Sequence, residues 1–192
     1  MLPADAPRLR RLAFRAGVLG VAAVAVLHVL YYFPRVVDDA YIFFRYAENL
    51  ALGDGLVYNV GERVEGFSSP LWVFLLAGGK LVGAGTVTFC KLLSLAALLA
   101  LFTGVWRFSR ERLAVSRPAA LLAGAFLALD SYVISWGMWG LETPAYLALM
   151  VWTALLLGRA ADGPTRGRGL GTAAVGAAFV LCRPEAPMFF AL

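Results

Sequence analysis

Two adjacent carboxylates, Asp38 and Asp39, directly follow the first long apolar run of the chain. A third acid, Glu142, sits in a later polar break, WGMWGLETP. Arg183 and Glu185 flank Pro184 inside the last apolar run. A carboxylate stationed at the edge of an apolar phase can act as general base toward a hydroxyl. A nearby guanidinium or ammonium can stabilise negative charge on a departing group. Arg45, Arg63, Lys80, Lys91 and Arg183 are the cations within reach of these acids. Glu65 belongs to the same acidic stretch, residues 34–66, which holds six of the 12 carboxylates. A loop that only joined two elements would need neither that length nor that charge density.

Each residue also has a plainer reading. One aspartate of the doublet is expected to N-cap the helix AYIFFRYAENLAL. That leaves a second carboxylate spare. Glu142 could serve only as a favourable charge at a helix N-terminus, with Thr143 as the cap and Pro144 as the first helical residue. Arg45 could pair with Glu48 or Asn49 on its own helix. Lys80 and Lys91 could snorkel toward an interface. Arg183 and Glu185 could pair with each other and kink their helix at Pro184. Asp130 could cap a short turn. Trp136 and Trp139 read as interface-belt residues, and His28 as a packed or interfacial side chain. Paired carboxylates could hold a divalent cation, but no metal-ligand spacing assigns one.

The elements that must position these residues are apolar. The 192-residue chain is 61% hydrophobic and 15% charged, with a mean hydropathy of +0.76. Soluble domains are nearer half apolar and a quarter charged, so the excess points to a bilayer. Six apolar segments stand out, at about 13–33, 67–82, 88–106, 118–136, 144–158 and 170–192. The first is longer than a signal-peptide core and has no clear small-x-small cleavage site, so it reads as a retained span. Cys90 and Cys182 lie within apolar segments. They read as buried thiols, with neither a disulfide framework nor a metal motif.

The net charge of +5 is topological in origin. Eleven of the 17 Lys and Arg fall in three clusters, at 8–15, 107–117 and 159–168. The positive-inside rule places all three on the cytoplasmic side. Six crossings would put the middle cluster outside. The weakest segment is 67–82, which contains Gly78, Gly79 and Lys80. Its 16 residues would reach only about 24 Å as a helix, against about 30 Å of hydrocarbon. It is expected to lie in the outer interface. The fold predicted is all-α, a polytopic bundle of about five spans, with residues 34–87 forming an extracytoplasmic loop that carries interfacial helices. Within it, the helix ends at Gly53, Leu56 to Val60 is extended, Gly61-Glu62 turns, and Ser68 or Ser69 with Pro70 starts the interfacial helix. The fifth span is expected over about 170–190. The chain ends at Leu192 while still apolar, which predicts that residues 1–192 are the N-terminal part of a longer transmembrane domain. No pattern of bases interleaved with aromatics suggests nucleic acid.

The stretch DDAYIFFRYAENLALGDGLVYNVGERVEGFSSPLW resembles the first periplasmic loop of bacterial GT-C glycosyltransferases, above all the arabinofuranosyltransferase-like group of the cell envelope. GLETP and CRPEAP resemble two later patches of the same proteins, so the likeness runs over roughly residues 15–190. The resemblance implies a polyprenyl-phosphate sugar donor and inversion at the anomeric carbon. It implies a glycan, lipid or protein acceptor at the outer face of the cytoplasmic membrane. It makes Asp38 or Asp39 the base and puts Glu142 in a second acidic motif that orients acceptor or metal. Arg45, Arg63, Glu65, Lys80, Lys91, Arg183 and Glu185 become the candidates for binding substrate. Two rivals follow from the residues alone. One is a transporter or flippase of lipid-linked precursors, for which only Arg183 and Glu185 speak. The other is a non-catalytic assembly subunit.

Overall fold

The computed structural model describes residues 6–163 and 165–190. Ala191 and Leu192, at the apolar end of the sixth segment, lie outside them. The described residues are all-helical, with no strand: α1 (Ala6–Tyr32), α2 (Asp38–Leu52), α3 (Pro70–Leu81), α4 (Thr86–Glu111), α5 (Arg117–Leu129), α6 (Ser131–Met138), α7 (Thr143–Asp162) and α8 (Arg166–Cys182). A 3-10 helix, Ala186–Phe190, follows.

Helix length sorts these elements. α1, α4 and α7 have 27, 26 and 20 residues and are long and apolar enough to cross a membrane. From residue 7 onward α1 has no fully buried residue, and Leu19, Leu27 and Leu30 are exposed along it. In a helix this apolar, such a surface belongs against lipid. α5 and α6 form an apolar pair interrupted at Asp130 and bent by 53°, a broken fourth span or a re-entrant loop by length and composition. The Asp130 carboxylate caps α6 by accepting from the Tyr132 N–H at 2.9 Å, so the expected short-turn cap is a cap at the break between two apolar helices. α8 occupies the sixth segment, where the fifth span was expected, but its 17 residues reach only about 25 Å. The helix expected to run to residue 190 stops at Cys182. Arg183 is extended (φ −156°, ψ 146°) and Pro184 cannot continue the helix, so the chain breaks there instead of kinking. α3, with 12 residues and about 18 Å of length, is too short to cross. Ser69 caps it by accepting from the Trp72 N–H, with Pro70 in the first turn.

The three basic clusters share one end of the bundle. Phe14 near the start of α1 lies 6.1 Å, ring to ring, from Trp106 near the end of α4. Arg112 pairs with Asp162, and Arg159 with Glu111, tying the end of α4 to the end of α7. Arg168 of α8 donates to the Gly163 carbonyl at 2.7 Å.

The acidic loop lies at the other end, and α2 is its organising element. Ala40, Phe43, Phe44 and Ala47 recur at helical spacing and are buried against Trp72, Val73 and Leu76 of α3. Each large side chain so buried contributes on the order of 2 kcal/mol. Gly53 ends α2 in the left-handed region (φ 89°), as expected. No strand forms within residues 54–66, and the extended piece expected over Leu56 to Val60 is not formed. Bends replace it, and α2 itself holds them in place. Asn49, buried, donates to the carbonyls of Val57 and Tyr58 at 2.8 and 2.9 Å. The Tyr46 hydroxyl donates to the Val64 carbonyl at 2.6 Å and accepts from the Gly66 N–H at 3.0 Å. These bonds take up backbone groups that a strand partner would otherwise satisfy.

Candidate active site

The helix carrying Asp38 and Asp39 begins at Asp38, one residue earlier than a cap by Asp38 would require and two earlier than a cap by Asp39. Val37 is the N-cap, with extended backbone and no side-chain cap bond, and both aspartates lie in the first turn. The carboxylate of Asp38 accepts from the Asp39 N–H at 3.1 Å. Neither is therefore the N-cap expected from sequence. Both still favour the positive end of the helix dipole, and both are exposed.

Main-chain bonds lock the start of α2 to the second polar break. The Val37 N–H donates to the Trp139 carbonyl at 3.0 Å. The Gly140 carbonyl accepts from Trp72 Nε1 at 3.0 Å and from Cys90 Sγ at 3.3 Å. Gly140 has φ 107°, and a Cβ there would sit 2.7 Å from that of Ala40. Only glycine allows this turn to pass so closely under α2. Lys91 completes the junction. It is 5% exposed, and its ammonium donates to the carbonyls of Phe33, Arg35 and Met138, the last two at 2.8 Å each. All three of its hydrogens are used to fasten the α1–α2 hinge to the end of α6.

This junction frames a cavity of about 510 Å³ lined by Asp39, Glu65, Glu142, Arg183, Tyr132 and Trp136, among others. Glu142 is 1% exposed. It is the N-cap of α7 by position, one residue before the expected Thr143, but its side chain makes no cap bond. Instead Glu142 Oε1 accepts from Arg183 Nε at 2.8 Å, while Oε2 is buried without a partner. Arg183 lies 3.9 Å from Glu185, so its main partner is Glu142, across the bundle, and not its neighbour in sequence. It also lies over the Tyr146 ring at 5.7 Å.

The cavity thus gathers Asp39, Glu65, Glu142 and Arg183 from four separate stretches of sequence. Asp38 does not line it. Arg45 lies outside it too, and donates to the Tyr58 carbonyl at 3.1 Å, not to Glu48 or Asn49. Lys80 pairs with Glu48 at 2.9 Å and so bridges α3 to α2. Arg63 lines a separate surface cleft beside Glu65, and Glu185 is exposed. Tyr132 and Trp136, 5.3 Å apart ring to ring, form a wall that sequence reading assigned to an interface belt or left unassigned. Their spacing of four residues signals a shared helix face, but the direction of that face depends on the bend at Asp130. Among the described residues no group of three or more His, Cys, Asp or Glu could hold a metal ion.

A terminal β-(1→2)-arabinofuranosyltransferase of Mycobacterium tuberculosis is 35% identical over 147 residues, 70% of this chain. One of the same name from Corynebacterium glutamicum is 32% identical over 149 residues, 68% of this chain. Over this stretch the chain is a homologue of bacterial arabinofuranosyltransferases. It spans 23% and 20% of the length of these two relatives. No protein-family model matches the chain, and no solved structure matches it. The homology agrees with the resemblance read from the loop motif.

Proposed function

We propose that this chain provides the sugar-transfer site of a membrane glycosyltransferase. The enzyme moves a pentofuranosyl group from a polyprenyl-phosphate donor to a hydroxyl of a cell-envelope acceptor, with inversion. The observation that carries this reading is the shared cavity, which faces Asp39 toward the same space as the Glu142–Arg183 pair. Asp39 takes the proton from the acceptor hydroxyl, and the oxygen attacks the anomeric carbon. The bond from that carbon to the phosphate oxygen breaks, and the phosphate leaves with the electron pair. Arg183, half-exposed at the cavity, is placed to meet that charge. Tyr132 and Trp136 offer flat faces against which a sugar ring can rest.

The clustering of basic residues at the opposite end supports a site on the extracytoplasmic side of the cytoplasmic membrane. The substrate and the pentose follow the names of the relatives, and the lipid-linked donor follows the family resemblance. The test is transfer from a labelled polyprenyl-phospho-arabinofuranose by the full-length protein. Asp39→Asn should lower transfer on the order of 10²- to 10⁴-fold. Asp38→Asn, outside the cavity, should lower it less than about tenfold, the loss of a charge near the site. Normal transfer by Asp39→Asn would remove the assignment.

A further inference from the structure

Glu142 presents two chemically distinct oxygens. Oε1 is committed to Arg183 Nε at 2.8 Å. Oε2 is buried, has no hydrogen-bond partner, and belongs to a side chain that lines the cavity. A buried carboxylate oxygen left unmatched is costly, and a group of this kind at a cavity is a candidate for completion by a bound ligand. An ionised carboxylate only accepts, so the missing partner is a donor. At about 510 Å³ the cavity has room for a sugar ring, and it has aromatic walls as well as charges.

We propose that Glu142 Oε2 accepts a hydrogen bond from the donor sugar's ring hydroxyl next to the anomeric carbon. This rests on the transfer reading above, in which Arg183 receives the donor phosphate. With Arg183 at the phosphate and Glu142 bonded to that same guanidinium, the part of the donor nearest Glu142 is the sugar end that carries the phosphate. The nearest ring hydroxyl to the phosphate is the one on C2. Glu142 then has two tasks. It fixes the Arg183 fork through Nε, leaving the η nitrogens for phosphate, and it reads the sugar through Oε2. Hydrogen bonds at this hydroxyl also strengthen as positive charge develops on the ring in glycosyl transfer.

The probes are farnesyl-phospho-arabinofuranose and its 2-deoxy analogue, with binding measured by calorimetry on the full-length Asp39→Asn protein, where turnover does not interfere. The parent should bind on the order of 10- to 100-fold more tightly than the 2-deoxy probe, the range for a hydroxyl bonded to a charged acceptor. With Glu142→Gln added, that ratio should fall to about threefold or less, since a neutral amide makes a weaker bond. Glu142→Asp, which keeps the charge but withdraws it by one methylene, should shrink the ratio too and decides the matter if the Gln variant does not fold. An undiminished 2-deoxy penalty in these variants would overturn the assignment. Absence of any binding by the parent probe would overturn the transfer reading and this proposal with it. Full transfer by Asp39→Asn with a Glu142-dependent penalty would remove only the base.

Discussion

Arg183 and Glu142, 41 residues apart in the chain, are joined by a 2.8 Å hydrogen bond from Nε to Oε1. The bond ties the break after α8 to the start of α7. Removing the cation leaves a carboxylate that is 1% exposed with no counter-charge. Arg183→Leu should therefore cost about 2–4 kcal/mol. Replacing both residues by Leu removes the stranded charge and should recover at least half of that loss. Thermal unfolding of the two variants in one detergent gives the comparison. Equal losses in the single and double variants would show that the pair contributes nothing specific.

Lys91 offers a second test of the same end of the bundle. Its ammonium serves three carbonyls on two segments, and none of them has an obvious replacement donor. Lys91→Met fills the space but leaves those acceptors unpaired. The expected loss is on the order of 3 kcal/mol, with faster proteolysis at the α1–α2 hinge, residues 33–37. Unchanged unfolding and protease resistance would mean that water replaces the ammonium at no cost.

Glu48 provides a pH signature. Lys80, through its hydrogen bond and then its charge, holds the Glu48 carboxyl below the usual carboxylate range. A lowered native value means stability that is fully present above the unfolded value, about 4.3 for glutamate, and lost as pH falls through the native one. The pair is more than a third exposed on both sides, so solvent screening limits it to less than about 1 kcal/mol. Wild type should melt slightly above Glu48→Gln at neutral pH, and the gap should close as pH is lowered below about 4. A gap that widened on acidification would have the wrong sign.

Topology can be read by labelling. Cys90 and Cys182 are buried, so introduced thiols report alone. An impermeant maleimide applied to intact cells should modify Ala84→Cys, between α3 and α4. It should spare Leu113→Cys, at the basic end, until the membrane is opened. The reverse pattern would turn the acidic cavity toward the cytosol and exclude a donor on the outer leaflet.

Much of this architecture was legible because it rests on local signals. Ser69-Pro70 starts α3 and Gly53 ends α2 for reasons carried by those residues themselves. The shortness of α3 and the grouping of the arginines followed from counting. What was not legible is non-local. Whether Asp38 or Asp39 faces the cavity depends on how α2 is rotated, and that rotation is set by the packing of Phe43 and Phe44 on α3. Arg183 looks, in sequence, like a partner for Glu185 two residues away. The helix break at Cys182 sends it toward Glu142 instead. Lys91 reads as a free cation because nothing local shows that three carbonyls converge on it. Trp136 looks like an interface anchor, and Tyr132 carries no assignment, until the bend at Asp130 is known.

The N–H of Val37 bonded to the carbonyl of Trp139 has a wider implication. It fastens together the polypeptide backbones that bear Asp39 and Glu142, two and three positions further along. Because both partners are main-chain atoms, replacing either side chain leaves donor and acceptor in place, proline at 37 excepted. Side chains lining the cavity can therefore change, in diverging copies of this scaffold, while the interval between the backbones of Asp39 and Glu142 stays the same.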